Sequence, residues 1–592
     1  MTTLDRLDAG AIAAAVSGGR TSAAGVISDV LERLASYDAV QPQAWISRFG
    51  PEALREAAQV VDARVAAGEA LPLAGVPFAV KDNIDVAGLN TTAACPSFAY
   101  RPTQSATVVQ RLIAAGAICI GKTNLDQFAT GLNGTRSPYG APRNPYNLAY
   151  VSGGSSSGSA VVVAAGLVAF ALGTDTAGSG RVPAAFNHLI GLKPSRGRWS
   201  SSGLVPACRT LDCITVLATS VSDARLVDDA VAGFDRADPF SLVATDSERS
   251  ARKVGVPMPD QRQWLGDLES ERLYDRALEH LASTGPEIVE IDMAPLNEAA
   301  QLLYSGPWVA ERAAALEKIL ADDPADLDPA VRDVVAPGLE LKAVDLFNGI
   351  YRLAELRRAA DTMWHDIDLL ALPTTGTTFR VRELQASPVA LNSILGAYTN
   401  FVNLLDMAAI AVPAGARDNA TGFGITLIGP AGTDRALLRV GETYLKAAEL
   451  AAPPPLDLEG RMQTVKLAVV GAHLKDMPLH WQLTSREASF IEATTTAPTY
   501  KLYAMANSIP PKPALIHAGE ADGAAIAVEV YELDVAAFGS FVVEVPPPLA
   551  IGTVQLADGS SVKGFVAEPR AIVGAEDITA LGGWRAYISR SA

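Results

Sequence analysis

Two clusters of serine and glycine, at 153–159 and 175–181, contain the residue types that nucleophilic catalysis requires. A serine hydroxyl is a weak nucleophile by itself and needs a base close by. Backbone N–H groups in a glycine-rich turn can converge on one point and stabilise an oxyanion. The same composition is also typical of flexible turns. The two clusters therefore predict either a pair of surface loops or a serine nucleophile with its oxyanion hole.

Two generic motifs overlap or precede these clusters. The sequence GSSSG at 154–158 fits the G-x-S-x-G nucleophile elbow, in which Ser156 would attack and a downstream histidine such as His188 would be its base. The sequence GAICIGKT at 116–123 fits the phosphate-binding loop pattern. Its middle residues are typical of a buried strand, whereas a phosphate cradle needs a flexible loop there, so we reject this motif. The elbow stays open as an alternative.

Four motifs in order along the chain resemble those of the amidase signature family, which hydrolyses amide C–N bonds with a Ser-Ser-Lys triad. They are GVPFAVKDN at 75–83, GKTNLDQF at 121–128, GGSSSGSA at 153–160 and DTAGSGR at 175–181. The resemblance implies that Lys81 is the catalytic base, Ser155 the bridging serine and Ser179 the nucleophile. Without the resemblance, Lys81 would be interpreted as a solvated lysine at the end of a strand.

A proton relay through these three side chains is chemically reasonable, because burial lowers the pKa of a lysine towards neutral. Lys81 would take a proton from Ser155, and Ser155 would take one from Ser179 as Ser179 attacks the amide carbonyl. We expect the oxyanion to be held by the backbone N–H groups of Thr176, Ala177, Gly178 and Ser179. The resemblance further implies a cis peptide bond between Gly154 and Ser155.

Two further segments resemble substrate-binding parts of the same family. A glycine-rich loop that includes Gly131 and Gly134 corresponds to a loop that lines the active site, although a surface turn would have the same composition. The segment around Tyr304 and Arg312 resembles that of one branch, the allophanate hydrolases, in which a tyrosine and an arginine at this spacing bind the substrate's carboxylate. An arginine suits that role because it binds a carboxylate bidentately. On spacing alone, Arg312 would be a surface residue paired with a neighbouring glutamate.

Alternating helical and strand patterns predict an α/β fold, and the family resemblance makes this a mixed sheet covered by helices. We expect helices over most of residues 1–70, at 107–115, from about Asn124, at 157–165 and over much of 265–365. We expect strands at 77–80, 117–120, 168–174, 368–372, 408–412 and 422–428. Lys81 and Ser179 then follow strand ends, which is where α/β sheets usually place their sites.

The proline-rich stretch at 453–462 is predicted to be a linker between an amidase domain, 1–452, and a C-terminal domain, 463–592. Short alternating apolar segments in the C-terminal part predict a small mixed α/β or barrel-like fold. They resemble the C-terminal domain of longer allophanate hydrolases, which has a gamma-glutamylcyclotransferase-like fold. His473 follows a predicted strand and a glycine, a position suited to general acid–base chemistry. A histidine packed at the domain surface is the alternative.

Composition narrows the range of partners and compartments. The chain has 592 residues, a net charge of −17 and a pI of about 4.9, which argues against a nucleic-acid partner. Four cysteines without a C-x-x-C pair indicate reduced, mostly buried thiols and a cytoplasmic protein. The longest apolar run, 160–172, is too short to span a bilayer, and the first residues lack a signal-peptide core. Scattered histidines make a poor metal site, so we expect no metal and no cofactor.

The resemblance to allophanate hydrolases implies hydrolysis of allophanate to ammonia and carbon dioxide, with the C-terminal domain assisting decarboxylation of an N-carboxycarbamate intermediate. We expect a homodimer that acts on this small molecule, without nucleic acid or membrane. A separate urea carboxylase, or enzymes that degrade cyanurate or biuret, would supply the substrate. One alternative is an amidase for another small amide with a structural C-terminal domain. Another is a non-catalytic component of a transamidating complex that uses the amidase fold as a scaffold.

Overall fold

The computed structural model of the protein describes residues 7–247, 249–450, 464–506, 508–519 and 521–591. These residues form two compact units, one before and one after the segment 451–463. The predicted linker at 453–462 lies outside the described residues. The domain limits placed at 452 and 463 lie there too and stay predictions.

A mixed sheet forms the centre of the N-terminal unit. Its described strands are β1 (Trp45–Arg48), β2 (Pro77–Lys81), β3 (Ile118–Thr123), β4 (Phe170–Asp175), β5 (Ile190–Lys193), β6 (Cys213–Ala218), β7 (Lys253–Pro257), β8 (Glu287–Ile291), β9 (Leu369–Pro373), β10 (Met407–Ala416) and β11 (Gly422–Pro430). Their order in the sheet is β1-β3-β2-β4-β6-β5-β10-β11-β9-β7-β8. Strand β2 is parallel to β3 and β4, β7 is parallel to β8 and β9, and the other pairs are antiparallel. The predicted mixed α/β sheet is confirmed.

Helices pack around this sheet. They are α1 (Ala9–Ser17), α2 (Ala23–Tyr37), α3 (Pro51–Ala66), α4 (Thr107–Ala114), α5 (Ser157–Ala164), α6 (Arg181–Phe186), α7 (Val221–Val231), α8 (Leu268–Ser283), α9 (Ala294–Gln301), α10 (Trp308–Asp322), α11 (Pro329–Val335), α12 (Ala343–Met363), α13 (Val381–Ala386), α14 (Ala390–Leu395), α15 (Phe401–Leu404) and α16 (Asp434–Ala448). Helix α2 is typical: Ser22 caps it, and Val26, Val30 and Leu34 form its buried face. Helix α5 is buried along its whole length, because its side chains are small and mostly apolar.

The strand that bears Lys81 forms as predicted. Strand β2 ends at Lys81 and its parallel neighbour β4 ends at Asp175, so both carboxyl ends lie at one edge of the sheet. The strand predicted at 117–120 continues as β3 and includes Lys122, which confirms the rejection of a phosphate-binding loop. Lys122 Nζ lies 3.1 Å from Asp82 Oδ1, and both side chains are buried.

The prediction of a helix from about Asn124 is wrong. The stretch is irregular and contains only a short 3-10 helix at Gln127–Ala129. Its backbone groups bond to other segments: Gly158 N–H donates to the Asn124 carbonyl, and Gln127 N–H donates to the Arg136 carbonyl. An α-helix would need these groups for its own hydrogen bonds.

The sequence patterns also miss five strands: β5, β6 and β7, where no element was predicted, and the two strands at the edges of the sheet, β1 and β8. Strand β1 lies within the region expected to be helical at 1–70, and β8 lies within the one at 265–365. Both strands are short and only partly buried. Neither therefore has the continuous apolar run that distinguishes a central strand from its surroundings.

The C-terminal unit is smaller and rich in β structure. Its strands are β12 (Thr464–Val469), β13 (Ser489–Thr495), β14 (Tyr500–Ala504), β15 (Pro513–His517), β16 (Ala527–Asp534), β17 (Leu549–Gln555), β18 (Ser561–Ala567) and β19 (Glu576–Asp577), and its helices are α17 (Trp481–Thr484), α18 (Val535–Val543) and α19 (Trp584–Ser591). One sheet has the order β13-β16-β12-β18-β17 and a second has the order β15-β14-β19. Strands β12 and β18 are parallel, whereas the other pairs are antiparallel. A small mixed fold is therefore confirmed.

Candidate active site

Lys81 is a buried lysine with hydroxyl partners. Its side chain is closed to solvent, and Nζ lies 2.7 Å from Ser155 Oγ and 2.6 Å from Thr174 Oγ1. Burial lowers the pKa of Lys81 to about 7, against the opposing effect of three nearby carboxylates. A lysine in this state is partly neutral near pH 7 and can accept a proton. A solvated lysine at a strand end is therefore excluded.

Ser155 and Ser179 lie on adjacent segments. The Ser156 N–H donates to the Ser179 carbonyl at 3.1 Å, which holds these segments side by side. The peptide bond Gly154–Ser155 is cis, which confirms that prediction. Ser179 Oγ is directed to the Gly131 carbonyl, 3.4 Å away, and is not bonded to Ser155. The Lys81–Ser155 contact of the expected relay is therefore present. The Ser155–Ser179 contact requires the Ser179 hydroxyl to turn away from the Gly131 carbonyl.

The turn after β4 carries the N–H groups expected to form the oxyanion hole. Among the residues that the structure describes, none accepts from the N–H groups of Thr176, Ala177 or Ser179. The Gly178 N–H differs, because it donates to Asp175 Oδ1 at 2.8 Å. Gly178 is therefore not available to an oxyanion, contrary to expectation, since the Asp175 carboxylate caps this turn.

A buried ion pair and a threonine fix the shape of this turn. Arg181 Nε and Nη2 lie 2.8 and 2.9 Å from the Asp175 carboxylate oxygens. Thr399 Oγ1 donates to the Ala177 carbonyl at 2.6 Å. Gly178 has a φ of +122°, and a Cβ built there would lie 2.3 Å from Thr399 Oγ1. Glycine is therefore required at position 178 by both its backbone angle and its neighbour.

Ser156 does not have the surroundings of a nucleophile. Its Oγ donates to the Thr174 carbonyl and accepts from the Thr174 N–H, both at 3.2 Å. The nitrogen Nε2 of His188, the base that an elbow would use, lies 3.1 Å from the Ala420 carbonyl. The Ser156 hydroxyl thus binds the backbone of β4 instead of a base, and the nucleophile-elbow interpretation is not supported.

Asp126 organises the glycine-rich loop, a role that the sequence interpretation misses. Its carboxylate accepts from the N–H groups of Asn133, Gly134 and Arg136 at 3.0–3.1 Å. A Cβ at Gly131 would lie 2.6 Å from Asp126 Oδ2, so the loop closes tightly around this carboxylate. The Gly131 carbonyl accepts a hydrogen bond from Ser179 Oγ. Gly134 gives its N–H to Asp126 and does not line the adjoining cavity, so a substrate contact is not supported for it.

An open cavity of about 760 Å³ adjoins this loop, and its lining includes Leu132, Tyr304 and Asn392. Arg312 is buried beside it and makes a cation–π contact with Tyr304, with Cζ 4.9 Å from the ring centroid. Arg312 Nη2 lies 3.3 Å from Tyr304 Oη, and Nη1 lies 3.3 Å from Thr130 Oγ1. The structure thus brings Tyr304 and Arg312 together next to the glycine-rich loop that contacts Ser179.

Arg312 has no carboxylate within ion-pair distance in the described part of the chain, although the charges of Asp212 and Glu311 act on it from further away. It takes part in no ion pair there, and its Nε has no hydrogen-bond acceptor. The adjacent Glu311 instead accepts from the N–H and hydroxyl of Thr210. The alternative of a surface arginine paired with a neighbouring glutamate is excluded. A buried guanidinium without a counter-ion is costly, and an anionic ligand would compensate it.

His473 lines a pocket of about 150 Å³ in the C-terminal unit, together with Gln482 and Lys512. Its ring stacks on Phe565, with the ring centroids 4.9 Å apart. Nε2 lies 2.7 Å from Gln482 Oε1, and Gln482 Nε2 donates to Glu544 Oε2 at 3.2 Å. Because a carboxylate can only accept, this chain places the His473 proton on Nε2. Burial lowers the pKa of His473, so the ring is neutral at pH 7 and Nδ1 can accept a proton.

The described residues were compared with the expectations about metal binding, membrane-spanning helices and cysteines. In the described ranges, no cluster of histidine, cysteine, aspartate or glutamate side chains could hold a metal ion. No helix in the same ranges is both long and apolar enough to cross a bilayer. The four cysteines are free thiols and all are buried, as expected.

The fold and this arrangement of lysine, serines and free backbone N–H groups define an amidohydrolase. The chain belongs to the amidase family, because the family model described as Amidase matches residues 26–438. A second model, described as Allophanate hydrolase C-terminal domain, matches residues 465–589.

Individual relatives extend this comparison. The chain is 43% identical to a urea amidolyase of Saccharomyces cerevisiae over 585 residues, which cover 94% of this chain and 32% of that protein. It is 44% identical to a urea amidolyase of Lachancea kluyveri over 579 residues, which cover 93% of this chain and 31% of that protein. It is also similar to the solved structure of a selenomethionine-substituted Kluyveromyces lactis allophanate hydrolase, with a TM-score of 0.69, 40% identity, and coverage of 97% of this chain and 98% of the other. The chain thus spans about a third of the length of the two urea amidolyases.

Proposed function

We propose that this chain hydrolyses allophanate, a urea carboxylate, to ammonia and carbon dioxide. The observation that carries the proposal is the buried Arg312 guanidinium, which contacts Tyr304 beside the cavity and forms no direct ion pair with a carboxylate among the described residues. An arginine is always charged, and a buried charge needs a counter-ion. The carboxylate of allophanate would be that counter-ion. Similarity to an allophanate hydrolase over 97% of the chain supports the same substrate.

In the proposed first step, Lys81, Ser155 and Ser179 are the catalytic residues. Neutral Lys81 accepts a proton from Ser155, which accepts one from Ser179 as Ser179 Oγ attacks the distal carbonyl carbon. The backbone N–H groups of Thr176, Ala177 and Ser179 bind the resulting oxyanion. The bond from this carbon to the terminal NH₂ group then breaks, the leaving nitrogen takes the proton held by the relay, and ammonia departs.

Hydrolysis of the acyl-enzyme completes this step. A water molecule attacks the same carbonyl carbon, its proton passes to the relay, and Ser179 Oγ is reprotonated as N-carboxycarbamate leaves. Tyr304 and Arg312 hold the substrate carboxylate throughout, which keeps the distal amide against Ser179. Such positioning supplies part of the rate enhancement, because the reacting groups do not have to find each other by diffusion.

We assign the second step, decarboxylation of N-carboxycarbamate, to His473. The intermediate carries two carboxylates, and Lys512 provides positive charge in the same pocket. The neutral ring takes up a proton from water at Nδ1 and donates it to the nitrogen of the intermediate, while Gln482 keeps Nε2 protonated. Breaking the C–N bond releases carbon dioxide and carbamate, and carbamate takes up protons and decomposes to ammonia and a second carbon dioxide.

The chain would work as a cytoplasmic homodimer on allophanate made by a separate urea carboxylase or by enzymes that degrade cyanurate or biuret. An apolar stripe on α12 supports the dimer: Val344, Phe347 and Tyr351 are each more than half exposed. Phe347→Glu should lower the molar mass measured by sedimentation from that of a dimer to that of a monomer. An unchanged mass would remove α12 from the interface.

A second candidate function is hydrolysis of a larger amide, with a structural C-terminal unit. The cavity of about 760 Å³ favours it, because allophanate would fill only a small part of that space. Faster turnover of larger neutral amides than of allophanate would establish this alternative. A non-catalytic scaffold is disfavoured, because a scaffold has no need of the buried Lys81–Ser155 contact.

The deciding experiment compares ammonia release from allophanate and from a neutral amide, propionamide. We expect Arg312→Ala to lower kcat/KM for allophanate by about 100-fold or more, because truncating one member of a buried charge pair costs a few kcal/mol. Turnover of propionamide should change much less. Arg55→Ala is the matched control, since Arg55 is an exposed arginine on α3. Equal losses on both substrates would remove the carboxylate-binding role of Arg312.

A further inference from the structure

We infer that Asn392 is a specificity-determining residue whose side-chain NH₂ group binds an oxygen of the substrate carboxylate. The inference rests on the proposed function, since it concerns the same cavity and substrate. Asn392 lies on α14 and lines the cavity of about 760 Å³ together with Tyr304. Its side chain is almost fully buried, with 8% of the residue exposed.

The orientation of the Asn392 amide is fixed by its neighbours. Asn392 Oδ1 accepts from the Leu132 N–H and from Asn133 Nδ2, both at 2.8 Å. A backbone N–H group can only donate, so the oxygen of Asn392 must face Leu132. The nitrogen Nδ2 therefore points away from the loop.

The Nδ2 group of Asn392 has no acceptor in the part of the chain that the structure describes. Asn392 Nδ2 is not closed to solvent, unlike the unpaired Arg312 Nε, so this donor is accessible from the cavity. Because Asn392 lines the cavity, a ligand placed there can supply the missing acceptor. A carboxylate oxygen is a strong acceptor for such a donor.

The same loop brings Asn392 close to the other parts of the proposed site. Thr130 Oγ1 lies 3.3 Å from Arg312 Nη1, the Gly131 carbonyl accepts from Ser179 Oγ, and the Leu132 N–H donates to Asn392. Three consecutive loop residues thus contact the proposed carboxylate-binding arginine, the proposed nucleophile and Asn392. The lining of the cavity also includes two charged side chains, Arg136 and Asp333.

Replacing the NH₂ group without removing the oxygen separates substrate binding from loop support. Asn392→Asp has nearly the same shape and keeps an acceptor for the Leu132 N–H, but it places an anionic oxygen where the NH₂ group faces the cavity. A carboxylate substrate is then repelled, whereas a neutral amide is not. Because the same segment reaches the oxyanion turn through Thr399, a purely structural disturbance would affect every substrate.

The test measures kcat and KM of the full chain for allophanate and propionamide. We expect Asn392→Asp to raise KM for allophanate at least tenfold and to change both constants for propionamide less than threefold. Asn90→Asp, the same chemical change at an exposed asparagine that does not line the cavity, is the matched control. If Asn392→Asp does not fold, Asn392→Gln keeps the amide but displaces it, and the same selective rise in KM is expected.

Equal effects on both substrates, or no effect on either, would overturn the inference. In the first case Asn392 would only support the loop, and in the second it would not face the substrate. Failure of the proposed function has a different signature, because the unmodified chain would then not release ammonia from allophanate at all.

Discussion

Lys81 Nζ and Ser155 Oγ lie 2.7 Å apart in a region closed to solvent, and no carboxylate of the described residues forms an ion pair with this lysine. Burial therefore dominates its titration and lowers the pKa of Lys81 to about 7. Because serine carries no charge, this contact does not neutralise a charged lysine. It is a suitable donor–acceptor pair for proton transfer. The geometry and the pKa thus support the same role.

The pH dependence of activity follows from this pKa. The protonated lysine cannot accept a proton from Ser155, so kcat/KM should be low below the pKa and rise as the pH increases through about 7. We expect a plateau above about pH 8, where Lys81 is neutral. The measurement is a pH–rate profile with allophanate between pH 5.5 and 9. A flat profile across that range would be incompatible with Lys81 as the base.

Replacing the serines one at a time distinguishes the relay from the nucleophile elbow. Ser179→Ala should abolish turnover, and Ser155→Ala should lower kcat by at least about 100-fold, because general-base assistance contributes that much. Ser156→Ala should keep most of the activity and lower the free energy of unfolding by about 1 kcal/mol, since it removes hydrogen bonds to Thr174. Ammonia release measures the activity, and denaturation followed by circular dichroism measures the free energy of unfolding. Loss of activity in Ser156→Ala alone would favour the elbow.

The parts of the site that could be predicted from sequence are those carried by short, local motifs. Lys81 at the end of β2, the turn after β4 and the cis bond before Ser155 each lie in a motif of a few consecutive residues, through which the family resemblance implied them. The roles of Tyr304 and Arg312 are also implied by the family resemblance. Tyr304 lies in the turn before α10 and Arg312 lies on that helix, and the turn brings the two side chains together.

The parts that could not be predicted depend on contacts between distant segments. Asn392 binds a loop that is about 260 positions earlier in the chain, and nothing in its local pattern indicates this. Thr399 fixes the oxyanion turn from a similar distance. Asp126 offered a signal, as an acidic residue inside the motif at 121–128, but the helix expected there concealed its role.

Gly178 is the position at which a single methyl group should disrupt the oxyanion turn. Gly178→Ala adds a Cβ that would lie 2.3 Å from Thr399 Oγ1, on a backbone with a φ of +122°. We expect kcat to fall by about 100-fold or more, as it does when an oxyanion donor is lost. The double variant Gly178→Ala with Thr399→Ser should not recover activity, because serine keeps the clashing hydroxyl oxygen and the strained φ remains. Full activity of the single variant would show that the turn adapts.

His473 provides the test of the second proposed step. His473→Gln removes the titratable ring, while Ser179 and the N-terminal unit are unchanged. We expect the first equivalent of ammonia to be released from allophanate at the unmodified rate, and the second to lag until N-carboxycarbamate decomposes without assistance. His517→Gln, an exposed histidine of the same unit, is the control and should release both equivalents together. Stopped-flow detection of ammonia and carbon dioxide resolves the two phases. If both equivalents appear together in His473→Gln, decarboxylation does not depend on this histidine, and the C-terminal unit has a structural role.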